Sequence, residues 1–160
     1  MYNVLDVCRF IINYCDEKDY NLSNLKLQKI LYFIQAYFLC SDETQRPCFS
    51  ERIEAWDFGP VVPVAYHEFK RFGNTNIPKV VSFVEYDPSN FWNSKVLKFN
   101  EDVISTQDKI IIKKLVDKFV KYSTTSLVNI THRQTPWKEA YIPGCGNIIT
   151  HEAIRSYFNG

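Results

Sequence analysis

The chain has 160 residues, of which 46% are hydrophobic and 16% aromatic, so it carries enough apolar material to build a hydrophobic core. Its 19 Lys and Arg residues are balanced by 18 Asp and Glu residues, which excludes the global positive charge that drives sequence-independent binding to nucleic acid. The length and even composition predict one domain, residues 1–160.

The cysteines and the N-terminal segment indicate the cellular setting. An odd number of cysteines cannot pair completely and none forms a CxxC motif, which favours a reduced cytosolic protein. The five are Cys8, Cys15, Cys40, Cys48 and Cys145. The first residues lack the basic and apolar regions of a signal peptide, and no window approaches the ~18 uncharged apolar residues of a membrane span. We therefore expect a cytoplasmic protein that is neither secreted nor membrane-spanning.

Two strong helical patterns open the chain. Apolar side chains at helical spacing predict a first helix over about Asn3 to Glu17. Asn21 and Ser23 can cap a second helix, in which apolar residues recur as far as Phe38. This second helix is apolar almost all round, which is typical of a helix buried at the centre of a fold.

The middle of the chain is punctuated by glycine and proline. Alternating residues between Pro47 and Trp56 predict a short strand, with the QRP segment before it as the turn of a hairpin. A third helix is expected to begin near Pro63, which suits a first helical turn, and to stop at Gly73. Beyond it, the segment 79–86 predicts one more short strand.

The C-terminal part is again helical. Ser105 and Asp108 resemble a helix cap, and apolar spacing predicts a fourth helix as far as Val120. Two shorter helices follow, from Ser123 or Thr124 to about His132 and from Thr150 to Tyr157 or Phe158. The predicted fold class is mainly α: a compact helical domain of about five to six helices with a small β-hairpin or short sheet.

The sequence contains little that predicts catalysis. A thiol hydrolase or transferase would need Cys145, in a PGCGN turn, to meet His132 or His151. Close His/Cys pairs for a metal and glycine-rich loops for a nucleotide are both missing, so we expect no metal and no cofactor. Glu51 and Glu54 would face opposite sides of a regular strand, which favours solvated charges over acid/base work.

Two other patterns suggest binding. Lys26 and Lys29 are spaced to lie together on the second helix, where they could hold a phosphate or an acidic partner, or simply keep the helix soluble. The chain also has more large aromatic residues than a small core must hide, and Trp and Tyr concentrate in interface hot spots. The aromatic candidates are Tyr32, Tyr37, Trp56, Phe58, Tyr66, Phe69 and Trp137.

Three segments carry a resemblance to a known family. LKLQKILY, over Leu25–Tyr32, is similar to a first signature of the SocA-like or Panacea antitoxin domain, and AWDFGPVVP, over Ala55–Pro63, is similar to the second. A weaker third signature, a histidine followed by a Pro-Trp pair, matches His132, Pro136 and Trp137. The order and spacing of the three segments make the resemblance far more specific than a lone short motif.

The resemblance implies a mainly α-helical domain with a small β element that acts in many cases as the antitoxin of a bacterial or prophage toxin–antitoxin pair. One branch of the family implies an adaptor that delivers its toxin to a cytosolic protease. Some relatives carry an added DNA-binding segment, for which we see no room here, so we expect no nucleic-acid partner through this domain.

The sequence therefore predicts that the chain neutralises a cognate protein toxin, encoded by an adjacent gene, through direct binding rather than catalysis. The alternatives are delivery of the toxin to a protease, a phage or mobile-element protein that binds a host factor, and the Cys/His enzyme. Partner-contacting residues are expected at Lys26, Lys29, Tyr32, Gln35, Trp56, Asp57 and Phe58. A structural role is expected for Gly59, Pro60, Pro63, His132, Pro136 and Trp137.

Overall fold

Two long helices form the centre of the computed structural model, which describes residues 1–160. The first, α1, spans Val4–Lys18, and Asn3 caps it by accepting a hydrogen bond from the backbone N–H of Leu5. The second, α2, spans Asn24–Cys40, and Ser23 caps it by accepting from the backbone N–H of Lys26. Both helices were predicted from apolar spacing, and both predictions are confirmed.

The prediction that α2 is the core helix is also confirmed. Thirteen of its 17 residues are buried, and it belongs to a single core cluster of 33 buried hydrophobic residues. Three later helices, α4 (Thr106–Phe119), α5 (Thr124–His132) and α7 (His151–Asn159), pack around it. Because other elements surround α2, its polar side chains Gln28, Lys29 and Gln35 are buried together with its apolar ones.

A three-stranded antiparallel sheet lies against α2, in the order β2-β1-β5. Its strands are β1 (Ile53–Trp56), β2 (Gly59–Val61) and β5 (Ile148–Ile149). The predicted strand before Trp56 exists, but the prediction of a QRP hairpin turn is wrong, because β1 pairs with the strand that follows it. Gly59 permits this reversal with a φ of +110°, and Pro60 fits because β2 is an edge strand.

Helix α3 spans Pro63–Phe69 and continues as a 3₁₀ turn over Lys70–Phe72, as the glycine and proline pattern predicts. A second hairpin follows, with β3 at Ser82–Glu85 and β4 at Lys95–Lys98. Only the first of these strands was predicted. The second was missed because the residues of the hairpin are largely exposed, so its strands lack the alternation of apolar and polar residues that marks a half-buried strand.

The fourth helix and the two shorter helices are confirmed as α4, α5 and α7, with caps at Ser105, Ser123 and Thr150. The chain has seven helices rather than five to six, because α6, over Thr135–Ala140, was not predicted. Six residues are too few to show a helical period. None of the seven helices combines the length and the apolar character required to cross a bilayer. The mainly α fold class is confirmed.

Candidate partner-binding site

The three signature segments meet at the turn between β1 and β2. Lys29 of α2 donates a hydrogen bond from Nζ to the backbone oxygen of Pro60 at 2.9 Å. Trp137 of α6 donates from Nε1 to the backbone oxygen of Trp56 at 2.8 Å. The β1–β2 turn, which we define as residues 56–60, is therefore held at both ends by side chains from distant parts of the chain.

Gly59 lies at the closest point of this junction. A Cβ atom placed there would lie 2.9 Å from Cε of Lys29 and 2.8 Å from Oγ1 of Thr131, closer than side-chain atoms tolerate. The positive φ also disfavours any residue with a Cβ. Glycine is thus required at this position for two independent reasons, the backbone conformation and the close approach of α2 and α5.

Lys29 was predicted to contact a partner at the surface, but the structure shows that it is fully buried. Burial disfavours the charged ammonium and lowers the pKa of Lys29 from 10.5 to about 7. Its hydrogen bond runs inward to Pro60, so no surface partner reaches it. Lys29 acts on the turn from inside the fold.

Tyr32 and Gln35 were also predicted to contact a partner, and they too are fully buried. The Tyr32 hydroxyl donates to Oε1 of Gln134 at 2.7 Å. Gln35 donates from Nε2 to the backbone oxygen of Phe49 at 2.9 Å and accepts from the backbone N–H of Cys48. Both polar groups are satisfied internally, as buried polar groups must be.

Lys26 remains partly accessible but is already engaged within the fold. Its Nζ donates to the backbone oxygen of Val120 at 2.6 Å, just beyond the end of α4. Partial burial lowers the pKa of Lys26. The pair Lys26 and Lys29 therefore does not form a cationic surface patch, although the two residues lie one helical turn apart.

The other three candidates lie at the surface of the turn. Phe58 is 64% exposed at its tip, Asp57 is exposed beside it, and Trp56 is half-buried. Asp57 accepts a hydrogen bond from the hydroxyl of Tyr141, and Trp56 donates from Nε1 to Oε1 of Glu54 at 3.0 Å. The large apolar side chain of Phe58 thus faces solvent, while hydrogen bonds hold the adjacent residues Asp57 and Trp56 in place.

A groove of about 510 Å³ opens beside this turn. Seven of its eleven lining residues are hydrophobic, and its walls include Leu25, Trp56, Phe58, Tyr66 and Cys145. The ring of Trp56 packs edge-to-face on that of Tyr66, with 4.9 Å between the ring centres. An apolar groove with a protruding phenylalanine at its rim has the character of a protein-binding surface.

No histidine lines the groove that contains Cys145. His132 instead stacks on Trp137 with 4.0 Å between ring centres, and His151 contacts Nε2 of Gln35. Burial lowers the pKa of His132, with a smaller contribution from the nearby Lys29 charge. The structure therefore does not assemble the Cys/His pair that the rival enzyme would need.

The two carboxylates considered for acid/base chemistry have structural partners. Glu51 accepts from the backbone N–H of Val4, and Glu54 bonds both Arg52 and Trp56. No group of three or more His, Cys, Asp or Glu residues is arranged to hold a metal ion.

Sequence reasoning missed several residues that complete the junction. Gln28 accepts from the backbone N–H of Val62 at 2.9 Å, and Asn24 donates to the backbone oxygen of Tyr66 at 3.0 Å. Thr131 and Tyr141 contact the turn from α5 and from the end of α6. Gln28 lies inside the LKLQKILY segment, so its position there was the available signal, whereas nothing local marks Tyr141.

The remaining signature prolines are buried at helix starts or in the edge strand. Pro63 occupies the first turn of α3, Pro136 that of α6, and Pro60 lies in β2. A proline at a helix start loses no hydrogen bond, because the first helical N–H groups have no partner in the helix.

The model of the family described as "Antitoxin SocA-like, Panacea domain" matches residues 27–138, which include the hydrogen bonds from Lys29 to Pro60 and from Trp137 to Trp56. The chain belongs to the SocA-like Panacea antitoxin family. Antitoxin SocA of Caulobacter vibrioides (strain NA1000 / CB15N) is 40% identical over 67 residues. That match covers 42% of this chain and 35% of the relative, so the chain aligns with about a third of that protein's length. No solved structure matches the chain.

Proposed function

We propose that this chain is an antitoxin that neutralises a cognate protein toxin by binding it, and that the β1–β2 turn and its groove form the contact surface. The observation that carries this proposal is the placement of Phe58, which is 64% exposed at the tip of a turn held by Lys29 and Trp137. The family membership supports the antitoxin role.

Preorganisation of the β1–β2 turn favours binding through Phe58. An exposed aromatic side chain on a mobile loop would lose conformational freedom on binding, which reduces affinity. The hydrogen bonds from Lys29, Trp137 and Tyr141 have already ordered this turn in the free protein. Phe58 can therefore insert into a pocket of the toxin at small entropic cost, with Asp57 contributing charge at the rim.

The chemistry of the site supports binding without turnover. The groove holds one thiol, Cys145, and no histidine that could activate it. We propose accordingly that the chain is not an enzyme, that residues 1–160 act as one domain, and that it works in the cytoplasm, where its five cysteines stay reduced.

The direct test is co-expression with the product of the adjacent gene, scored by growth and by co-purification. Rescue of growth together with a stable complex supports neutralisation by masking. Rescue with loss of the neighbouring protein, reversed when a cytosolic protease is deleted, would instead support the adaptor alternative. A neighbour that is not toxic and forms no complex would contradict the proposal, whereas capture of a host protein in its place would favour the mobile-element alternative.

A further inference from the structure

The β3–β4 hairpin carries an unusual share of the exposed apolar surface. Six large hydrophobic residues are exposed within residues 81–96, and Trp92 is 88% exposed. The six are Val81, Val84, Tyr86, Phe91, Trp92 and Val96. Soluble proteins seldom leave such a concentration of apolar side chains uncovered unless the surface binds something.

Both edges of this hairpin are also unpaired. The two strands form a sheet of their own, in which Val84 lies opposite Val96. The backbone N–H of Phe99 donates to the oxygen of Val81, so these two residues form a hydrogen-bonded pair. Hydrogen-bonded and non-hydrogen-bonded pairs alternate along an antiparallel ladder, so Val84 and Val96, three positions further along, form a non-hydrogen-bonded pair. The backbone N–H and C=O of each valine therefore point outward, away from the partner strand.

The two edges differ in charge. Strand β4 carries Lys95 and Lys98, and lysine is one of the residues that proteins place on an exposed edge to block pairing. Strand β3 carries one charge, Glu85, which lies opposite Lys95 within the hairpin. The β3 edge is thus the one left open to another strand.

We propose that the β3 edge pairs antiparallel with β3 of a second copy of this chain, giving a four-stranded sheet across two protomers. With Phe83 on the two-fold axis, Val84 of each copy faces Ser82 of the other, and their outward backbone groups pair. Glu85 then faces the apolar Val81 of the second copy, so no like charges meet. The exposed valine pairs of the two hairpins share one face of the joint sheet.

This inference is independent of toxin binding, because the β1–β2 turn and the hairpin are different surfaces. The test measures molar mass by light scattering and sedimentation over a wide range of protein concentration. The unmodified chain should approach twice the chain mass as concentration rises. Val84→Pro removes an outward N–H of the β3 edge without removing a bond of the hairpin, and should hold the protein at the chain mass.

Val96→Pro is the matched control, because it removes the equivalent outward N–H from the β4 edge. This variant should still dimerise. Val84→Lys is a second disrupting variant in case proline distorts the hairpin, and circular dichroism confirms that each variant folds. An unmodified chain that stays at the chain mass at every concentration would overturn the proposal, as would equal loss of dimer in Val84→Pro and Val96→Pro. A monomer whose β3 edge is protected only when toxin is added would show a different occupant and overturn it as well.

Discussion

Lys29 and Pro60 are joined by a hydrogen bond of 2.9 Å from the buried lysine Nζ to the backbone oxygen, which attaches the central helix α2 to the β1–β2 turn. The two residues lie 31 positions apart and come from different signature segments. A buried lysine is costly, and here its side chain positions the surface turn that we propose contacts the toxin. The Lys29 side chain thus links the interior of the protein to the proposed contact surface.

The first prediction concerns the pH dependence created by Lys29. Its pKa is about 7 in the folded protein and about 10.5 when exposed, so between these values the unfolded chain binds more protons than the folded one. The contribution of Lys29 to the free energy of unfolding must then rise with pH across this window, because the penalty for burying its charge is fully present below about pH 7 and disappears toward pH 10.5.

We therefore expect the stability of the unmodified chain, relative to Lys29→Met, to increase by a few kcal/mol between pH 7 and pH 10, measured by urea unfolding. Taking the difference between the two proteins cancels the titration of shared groups. Lys26→Met is the matched control, since Lys26 also donates to a backbone oxygen but is less buried, and it should give a smaller slope. Identical slopes for the two variants would contradict the burial of Lys29.

The second prediction concerns the proposed toxin contact. Phe58→Ala should weaken toxin binding by about 2 kcal/mol, or roughly 30-fold in Kd, because exposed aromatic anchors dominate interface energetics. Phe58 contributes little to the hydrophobic core, so the melting temperature of the Phe58→Ala protein should hardly change. Phe91→Ala is the control, as Phe91 is similarly exposed, at 68%, but lies on the other hairpin. Unchanged affinity in a folded Phe58→Ala protein would remove the β1–β2 turn from the interface.

The third prediction concerns Gly59. Gly59→Ala should lower the free energy of unfolding by about 3 kcal/mol, because alanine is strained at a φ of +110° and its Cβ would collide with Lys29 and Thr131. Gly144→Ala tests the backbone effect alone, since Gly144 has a φ of +75° and no atom within 4 Å. It should cost about 1 kcal/mol. Equal losses in chemical unfolding would show that the close approach of α2 and α5 has no energetic weight.

The fourth prediction concerns the cysteines. Cys145 is exposed in the groove, whereas Cys8 and Cys48 are buried and burial raises the pKa of both thiols. Brief treatment of the native protein with iodoacetamide should therefore label Cys145 first, with peptide mass spectrometry as the measurement. The denatured protein, in which all five thiols are accessible, is the control. Labelling of Cys8 or Cys48 as fast as Cys145 in the native state would contradict the packing around α2.

Much of the helical framework could be predicted from the sequence. The apolar spacing of α1, α2 and α4 and the caps at Ser23 and Ser105 are local features, so they are readable without knowledge of the fold. The short elements were less predictable. Helix α6 has too few residues to show a period, and β4 lacks alternation because its residues are largely exposed.

The mainly helical class, the family resemblance and the presence of aromatic residues near the β1–β2 turn could all be inferred from the sequence alone. Which of these aromatic residues face solvent depends on the packing of distant parts of the chain. Periodicity shows that Lys29, Tyr32 and Gln35 share a helix with apolar residues. It does not show that β2, α7, the residue before α6 and the segment before β1 cover their side of the helix. Burial is set by contacts between residues that are far apart in the chain. Such contacts leave Phe58 in solvent and bury Lys29, which supports the turn that carries Phe58.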